Sequence, residues 1–182
     1  MNAVASSPAH LLTVVELDAN PWASCGPAAL AALLGRSLAD IRHAFPRQTE
    51  ASTWTNLAMM GRALAALGAR HSATGTAPDL EHPAKLWPRH GLVLIQFCGS
   101  WSQMPVSHPA QLQRSHWIAV MNARGASLSY EPAVFDINLV AAGHSGWVTR
   151  EGWDRTVAPQ LAEHFGKKAT GQWWVRAGIE VK

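Results

Sequence analysis

Apolar positions recur with two different periods along this chain, and the change falls near its middle. In the first half the spacing is helical. Ser24 or Cys25 can cap a helix with Pro27 in its first turn, an Ala/Leu-rich body from Ala28 to Leu34, and Gly35 as the stop. Ser37-Leu38-Ala39-Asp40 resembles a capping box that opens a second helix toward Ile41 and Phe45. A third helix is predicted from about Thr55 to Leu67, with Leu57, Met60, Leu64 and Leu67 on one face and Gly68 after it. Beyond residue 90 the runs become short and β-like: Leu92–Phe97, Trp117–Met121, Ala126–Tyr130, Val134–Ile137 and Trp173–Val181, separated by Gly, Pro and Asn. One late helix fits between Thr149 and Gly166, from about Arg150 to Phe165. Helices followed by strands predict an α+β fold, a single domain over 1–182 in which a helical part (about 20–70) packs on a C-terminal antiparallel sheet (about 90–182).

Composition agrees with a chain that buries its own core: 182 residues, 48% hydrophobic and 15% charged. The net charge of +3 is scattered, with no basic run longer than Lys167-Lys168, whereas a nucleic-acid footprint is a clustered patch. No nucleic-acid partner is therefore expected, although a pI of about 9.2 keeps a nucleic-acid-associated factor as the weakest of three readings. No stretch approaches the roughly 20 apolar residues that cross a bilayer, and residues 1–18 carry no basic n-region. Two cysteines are too few for a secreted disulfide framework. The expectation is a cytoplasmic protein without a membrane partner, compatible with a bacterial or phage protein or a delivered effector. Neither a Walker loop nor a dinucleotide fingerprint occurs. His82, His90, His108, His116 and Cys98 lack metal-ligand spacing, so no cofactor and no metal are expected. Of nine tryptophans, most belong in a core.

The chemistry centres on Cys25. A catalytic cysteine attacks as its thiolate, and a helix N-terminus lowers thiol pKa through its partial positive charge and unpaired N–H groups. The same amides, that of Cys25 included, can stabilise an oxyanion. His116 opens the apolar run WIAVM, and Asp136 lies in VFDIN, twenty residues on, where adjacent antiparallel strands can bring the two together as base and orienting carboxylate. Asp136 beside Asn138 also fits a plain turn-capping role.

These residues carry a family resemblance. Ser24-Cys25-Gly26-Pro27-Ala28-Ala29-Leu30, then His116-Trp117-Ile118-Ala119-Val120, then Phe135-Asp136-Ile137-Asn138, resemble papain-like cysteine peptidases of the C39 type, over roughly residues 18 to 140. The resemblance implies a papain-like fold, thiol-dependent cleavage of an amide or related acyl bond in a peptide or protein substrate, and no metal. In that family a Gln six residues before the nucleophile completes the oxyanion hole; here the position is Ala19, and Asn20 beside it is the candidate donor. Trp22, Ser24, Gly26, Trp101 and Trp117 lie beside the proposed chemistry and are candidates to line a substrate groove. The long segment from Cys98 to Ser115 suits a substrate-binding flap. Cys98-Gly99-Ser100 followed by Trp101 is a decoy nucleophile, since it follows a strand rather than opening a helix. Peptide hydrolysis, acyl transfer or deamidation by the same triad, and a non-enzymatic binding protein on the same scaffold all remain open.

Overall fold

The computed structural model describes residues 11–49, 54–76, 86–100, 114–124, 130–164 and 169–182. After the short helix α1 (Val14–Asp18) comes the helix that organises the molecule, α2 (Cys25–Leu34). Its first-turn Pro27 costs nothing because that N–H has no helical partner. Gly35 ends it at φ 62°, a left-handed position that a side chain would strain, and the Arg36 N–H closes the end on the Ala31 carbonyl. Every residue from Gly26 to Leu33 is buried, so α2 is a core helix with no solvent face.

α3 (Leu38–Ile41) is a single turn. It does open with the expected box, Ser37 accepting from the Asp40 N–H while Asp40 accepts from the Ser37 N–H, and a 3₁₀ turn over Arg42–Ala44 follows. α4 (Leu57–Ala66) starts two residues later than the pattern suggests, because the Asn56 side chain caps it by accepting from the Met59 N–H.

The strands are β1 (His71–Thr76), β2 (His90–Gly99), β3 (Ser115–Arg124), β4 (Tyr130–Phe135), β5 (Trp147–Thr149) and β6 (Ala169–Val181). Together they form one antiparallel sheet in the order β1-β6-β2-β3-β4-β5. The fold is therefore α+β. Of the expected strand Ala126–Tyr130, residues 126–129 lie outside the described residues and Tyr130 opens β4; the expected strand Val134–Ile137 is corrected, since Val134 and Phe135 end β4 and Ile137 opens the short helix α5 (Ile137–Ala141). After β5 the late helix runs as α6 (Arg150–Gly152), a π-helical turn over Trp153–Val157, and α7 (Ala158–His164).

Helices cover both faces of the sheet. Leu92, Leu94, Trp117, Ala119, Phe135, Ala177 and Ile179 join the core of α2 and α4. The alternate residues Val93, Ile95, Phe97, Ile118, Val120 and Val134, with Val175 brought to that face by the register shift between the Leu94–Ala177 and Ile95–Val175 pairs, join Trp153, Val157, Ala158 and Ala162 on the other side. This explains why β2 reads as an unbroken apolar run rather than an alternating one. The expected two-part packing is thus completed by a third layer from the late helix.

Candidate active site

The start of β3, the end of β4 and the N-terminus of α2 converge. Ala119 pairs with Phe135, so Asp136, one step past β4, is a diagonal neighbour of His116 across the β3–β4 ladder. The Asp136 backbone is held there by its N–H bond to the Gly146 carbonyl, 2.9 Å. The His116 ring donates Nε2–H to Asp136 Oδ2 at 3.0 Å, with both residues buried. The remaining ring nitrogen, Nδ1, is then the one left for the Cys25 side chain, with which His116 is hydrogen-bonded. The Trp117 backbone N–H donates to the Cys25 sulfur as well. Cys25 packs against the α2/α4 core yet keeps partial exposure. The structure brings these three expected residues together.

Each ionisation state follows from its neighbours. Burial alone would raise the Cys25 thiol pKa. The charge of His116, the hydrogen bond between the two side chains and the Trp117 amide outweigh burial and the opposing charge of Asp136, and hold the thiol below its ordinary value. Burial alone would lower the His116 pKa, but the charges and hydrogen bonds of Asp136 and Cys25 drive it well above the usual imidazole value. Asp136, which burial would raise, is brought down to about 2 by the charge and hydrogen bond of His116, with help from Trp153 and Asn138. The two shifts beside the sulfur point the same way, each favouring the charged form of its group.

Asp136 is fixed on every side. Oδ2 accepts from His116 and from the indole Nε1–H of Trp153 at 2.8 Å; Oδ1 accepts from the Asn138 N–H (2.9 Å) and side-chain amide (2.8 Å). The turn-capping role and the histidine-orienting role are both real, because each uses a different oxygen. Sequence reasoning missed Trp153. The available signal was general, that a buried indole N–H needs an acceptor. It also missed Thr55. A methyl group added at Gly26 would come within 2.6 Å of Thr55 Oγ1, so glycine next to the nucleophile is what lets α4's leading segment close over α2.

The other expected residues take different places. Asn20 donates its amide N–H to the Glu16 carbonyl (2.8 Å), and its oxygen accepts from Trp22 Nε1 (3.2 Å), so this side chain is engaged in the turn that leads to α2. Trp22 and Trp117 are corrected from groove to core. Trp22 is buried against Phe45 and stacks under the Arg42 guanidinium, and Trp117 is 1% exposed with its indole donating to the Thr55 carbonyl at 2.7 Å. What Trp117 offers the sulfur is its backbone amide. Gly26 is buried. Ser24, half-exposed at the N-cap of α2, makes no capping bond, and its hydroxyl oxygen is enclosed without a partner. Trp101 and most of the expected flap, 101–113, lie outside the described residues. Cys98 is buried near the end of β2. Among the described residues no group of three His, Cys, Asp or Glu is gathered as a metal ion would need, and no helix is long and apolar enough to cross a membrane. No protein family, curated protein or solved structure matches the chain.

Proposed function

We propose that this protein is a thiol-dependent hydrolase of the papain-like type, which cleaves a peptide or isopeptide bond through an acyl-enzyme on Cys25. One observation carries the reading: a cysteine at a helix N-terminus shares hydrogen bonds with a histidine whose other nitrogen is held by a buried, ionised Asp136. The thiolate attacks the scissile carbonyl carbon, and its electron pair becomes the C–S bond while the carbonyl oxygen takes the negative charge. That oxygen faces the first amides of α2, which the Ser24 hydroxyl leaves uncapped. The His116 imidazolium then gives its Nδ1 proton to the leaving amine as the C–N bond breaks. Water, deprotonated by the same nitrogen, resolves the thioester and restores the pair. An amine in place of that water gives acyl transfer with the same residues.

One observation favours a second reading. With the Asn20 amide spent on the Glu16 carbonyl and Trp22, a side-chain oxyanion donor is missing among the expected residues, and loss of one such donor costs about 10²–10³ in turnover. A binding protein on the same scaffold would tolerate that loss. Peptidyl aldehydes and epoxides, scored by intact mass, separate the two. An enzyme forms a single adduct on Cys25 that His116→Ala prevents; absence of any Cys25 adduct, or equal modification of Cys98, contradicts the hydrolase.

A further inference from the structure

The 3₁₀ turn after α3 and the outer face of α4 line a half-open pocket of about 500 Å³, bounded by residues 43–47 on one side and by Met59, Arg62 and Ala66 on the other. None of the triad residues takes part. The geometry points to a binding site for a small amphipathic anion, a carboxylate or phosphate head on an apolar tail, separate from the proposed hydrolase centre.

The volume lies within the range of sites that enclose small molecules. Its floor is apolar: Phe45 and Ala44 are buried, Met59 is half-buried, and Ala44 and Ala66 leave room that larger side chains would fill. Its rim is cationic. Arg47, Arg62 and His43 are exposed, no acidic residue is among the described lining, and neither arginine has a carboxylate partner among the described residues. Guanidinium groups suit a carboxylate or phosphate because they offer paired, coplanar donors. On α4 the residues Met59, Arg62 and Ala66 share one face, while Met60, Ala63 and Leu64 point into the core. An apolar floor beneath separated positive charges fits a ligand that is anionic at one end and greasy at the other.

The opposite wall is held in advance. Arg42 donates to the Phe45 carbonyl at 2.6 Å and to the Gln48 carbonyl at 2.9 Å while lying over the Trp22 ring, 4.6 Å from its centroid. Gln48 in turn donates to the Trp54 carbonyl and to the Thr55 hydroxyl, tying the wall to the start of α4. The backbone of this wall is therefore held before binding, so the ordering cost falls on the rim side chains alone.

Titration calorimetry with octanoate, octyl phosphate, octanol, acetate and inorganic phosphate tests the proposal on the full chain. Octanoate and octyl phosphate should bind saturably, and the tighter of the two identifies the head group as carboxylate or phosphate ester. Octanol, acetate and inorganic phosphate should each bind about tenfold more weakly or worse, since each lacks one half of the match. Arg47→Ala with Arg62→Ala should weaken the octyl anions about tenfold or more, and Ala66→Trp should abolish their binding by filling the cavity; unchanged thermal unfolding shows that the variants fold. Arg62→Gln alone, an exposed single change, provides the same reading if the double variant does not. Cys25→Ala should leave binding intact, so the result stands or falls apart from the hydrolase reading. Failure of both octyl anions to bind, octanol binding as tightly as octanoate, or affinity untouched by the arginine changes would overturn it.

Discussion

The two flanks of Cys25 are built to different standards. On the His116 flank each carboxylate oxygen of Asp136 accepts two hydrogen bonds, the backbone is pinned to Gly146, and the indole of Trp153 reaches in from the opposite core layer. On the Asn20 flank the amide is consumed by local turn contacts, and the Ser24 hydroxyl is enclosed without a partner. An imidazolium inside a low-dielectric interior is costly unless the neighbouring polar atoms are satisfied. An oxyanion hole can be made from the amides that any helix N-terminus leaves unpaired. On the proposed hydrolase reading, the contrast means that activation of Cys25 is specified by side chains and anion stabilisation is left to the backbone.

The largest expected effect breaks the well-built flank. Asp136→Ala removes the orienting carboxylate and leaves the Trp153 indole N–H buried without an acceptor. Turnover of any substrate found should fall about 10³-fold or more, and urea titration should show a loss of about 3 kcal/mol. The same group governs acid sensitivity. Its pKa in the fold, about 2, lies below the ordinary 3.8, so its contribution of about 2 kcal/mol is present above that ordinary value and is lost as pH falls through about 2. His116 has the opposite sign: its raised pKa contributes stability that is complete below 6.5 and lost as pH rises through the folded value. Denaturation midpoints across pH should therefore fall off on both sides, and Asp136→Asn should flatten the acid side.

Trp153→Phe keeps the ring in the second core and deletes one hydrogen bond to Oδ2. Activity should drop about tenfold, and the pH at which Cys25 becomes reactive should move upward, because a less firmly held Asp136 supports the imidazolium less well. A purely structural tryptophan would leave that pH unchanged.

The smallest effect is expected on the loosely built flank. Asn20→Ala should cost about 1 kcal/mol of stability through the lost Glu16 and Trp22 contacts, yet change turnover less than about threefold. A fall of about 10²-fold in kcat with normal stability would make Asn20 an oxyanion donor after all and erase the contrast.

Several of these features are readable without coordinates, and the reasons differ by element. α2 is announced by Pro27 and Gly35, and the Ser37–Asp40 box by its spacing, because local chemistry alone decides both. The antiparallel sheet and the late helix follow from the change of period. β1 is different, since His71–Thr76 is a mostly polar edge strand whose partner, β6, lies a hundred residues away. β4 runs through Pro132, which sequence patterning takes for a break. Pro132 is tolerated because β5 pairs only Ala133, Val134 and Phe135, which leaves β4 an edge at that residue. In the candidate site, Cys25, His116 and Asp136 are legible because a cysteine at a helix start and a histidine and a carboxylate at the ends of adjacent strands are all placed by local pattern. Trp22 and Trp117 mislead because nearness in sequence to a nucleophile says nothing of exposure. Trp153 is silent because its partner is chosen by packing of the late helix on the far side of the sheet.

The central claim is that Cys25 rests as a thiolate paired with the His116 imidazolium. Alkylation by iodoacetamide across pH, scored by mass at Cys25 and Cys98 separately, measures this directly. The predicted result is a Cys25 rate already high on the acid side of ordinary thiol titration, with His116→Ala returning the profile to that of a simple thiol. A Cys25 rate that rises only near the ordinary thiol value and is indifferent to His116 would contradict it.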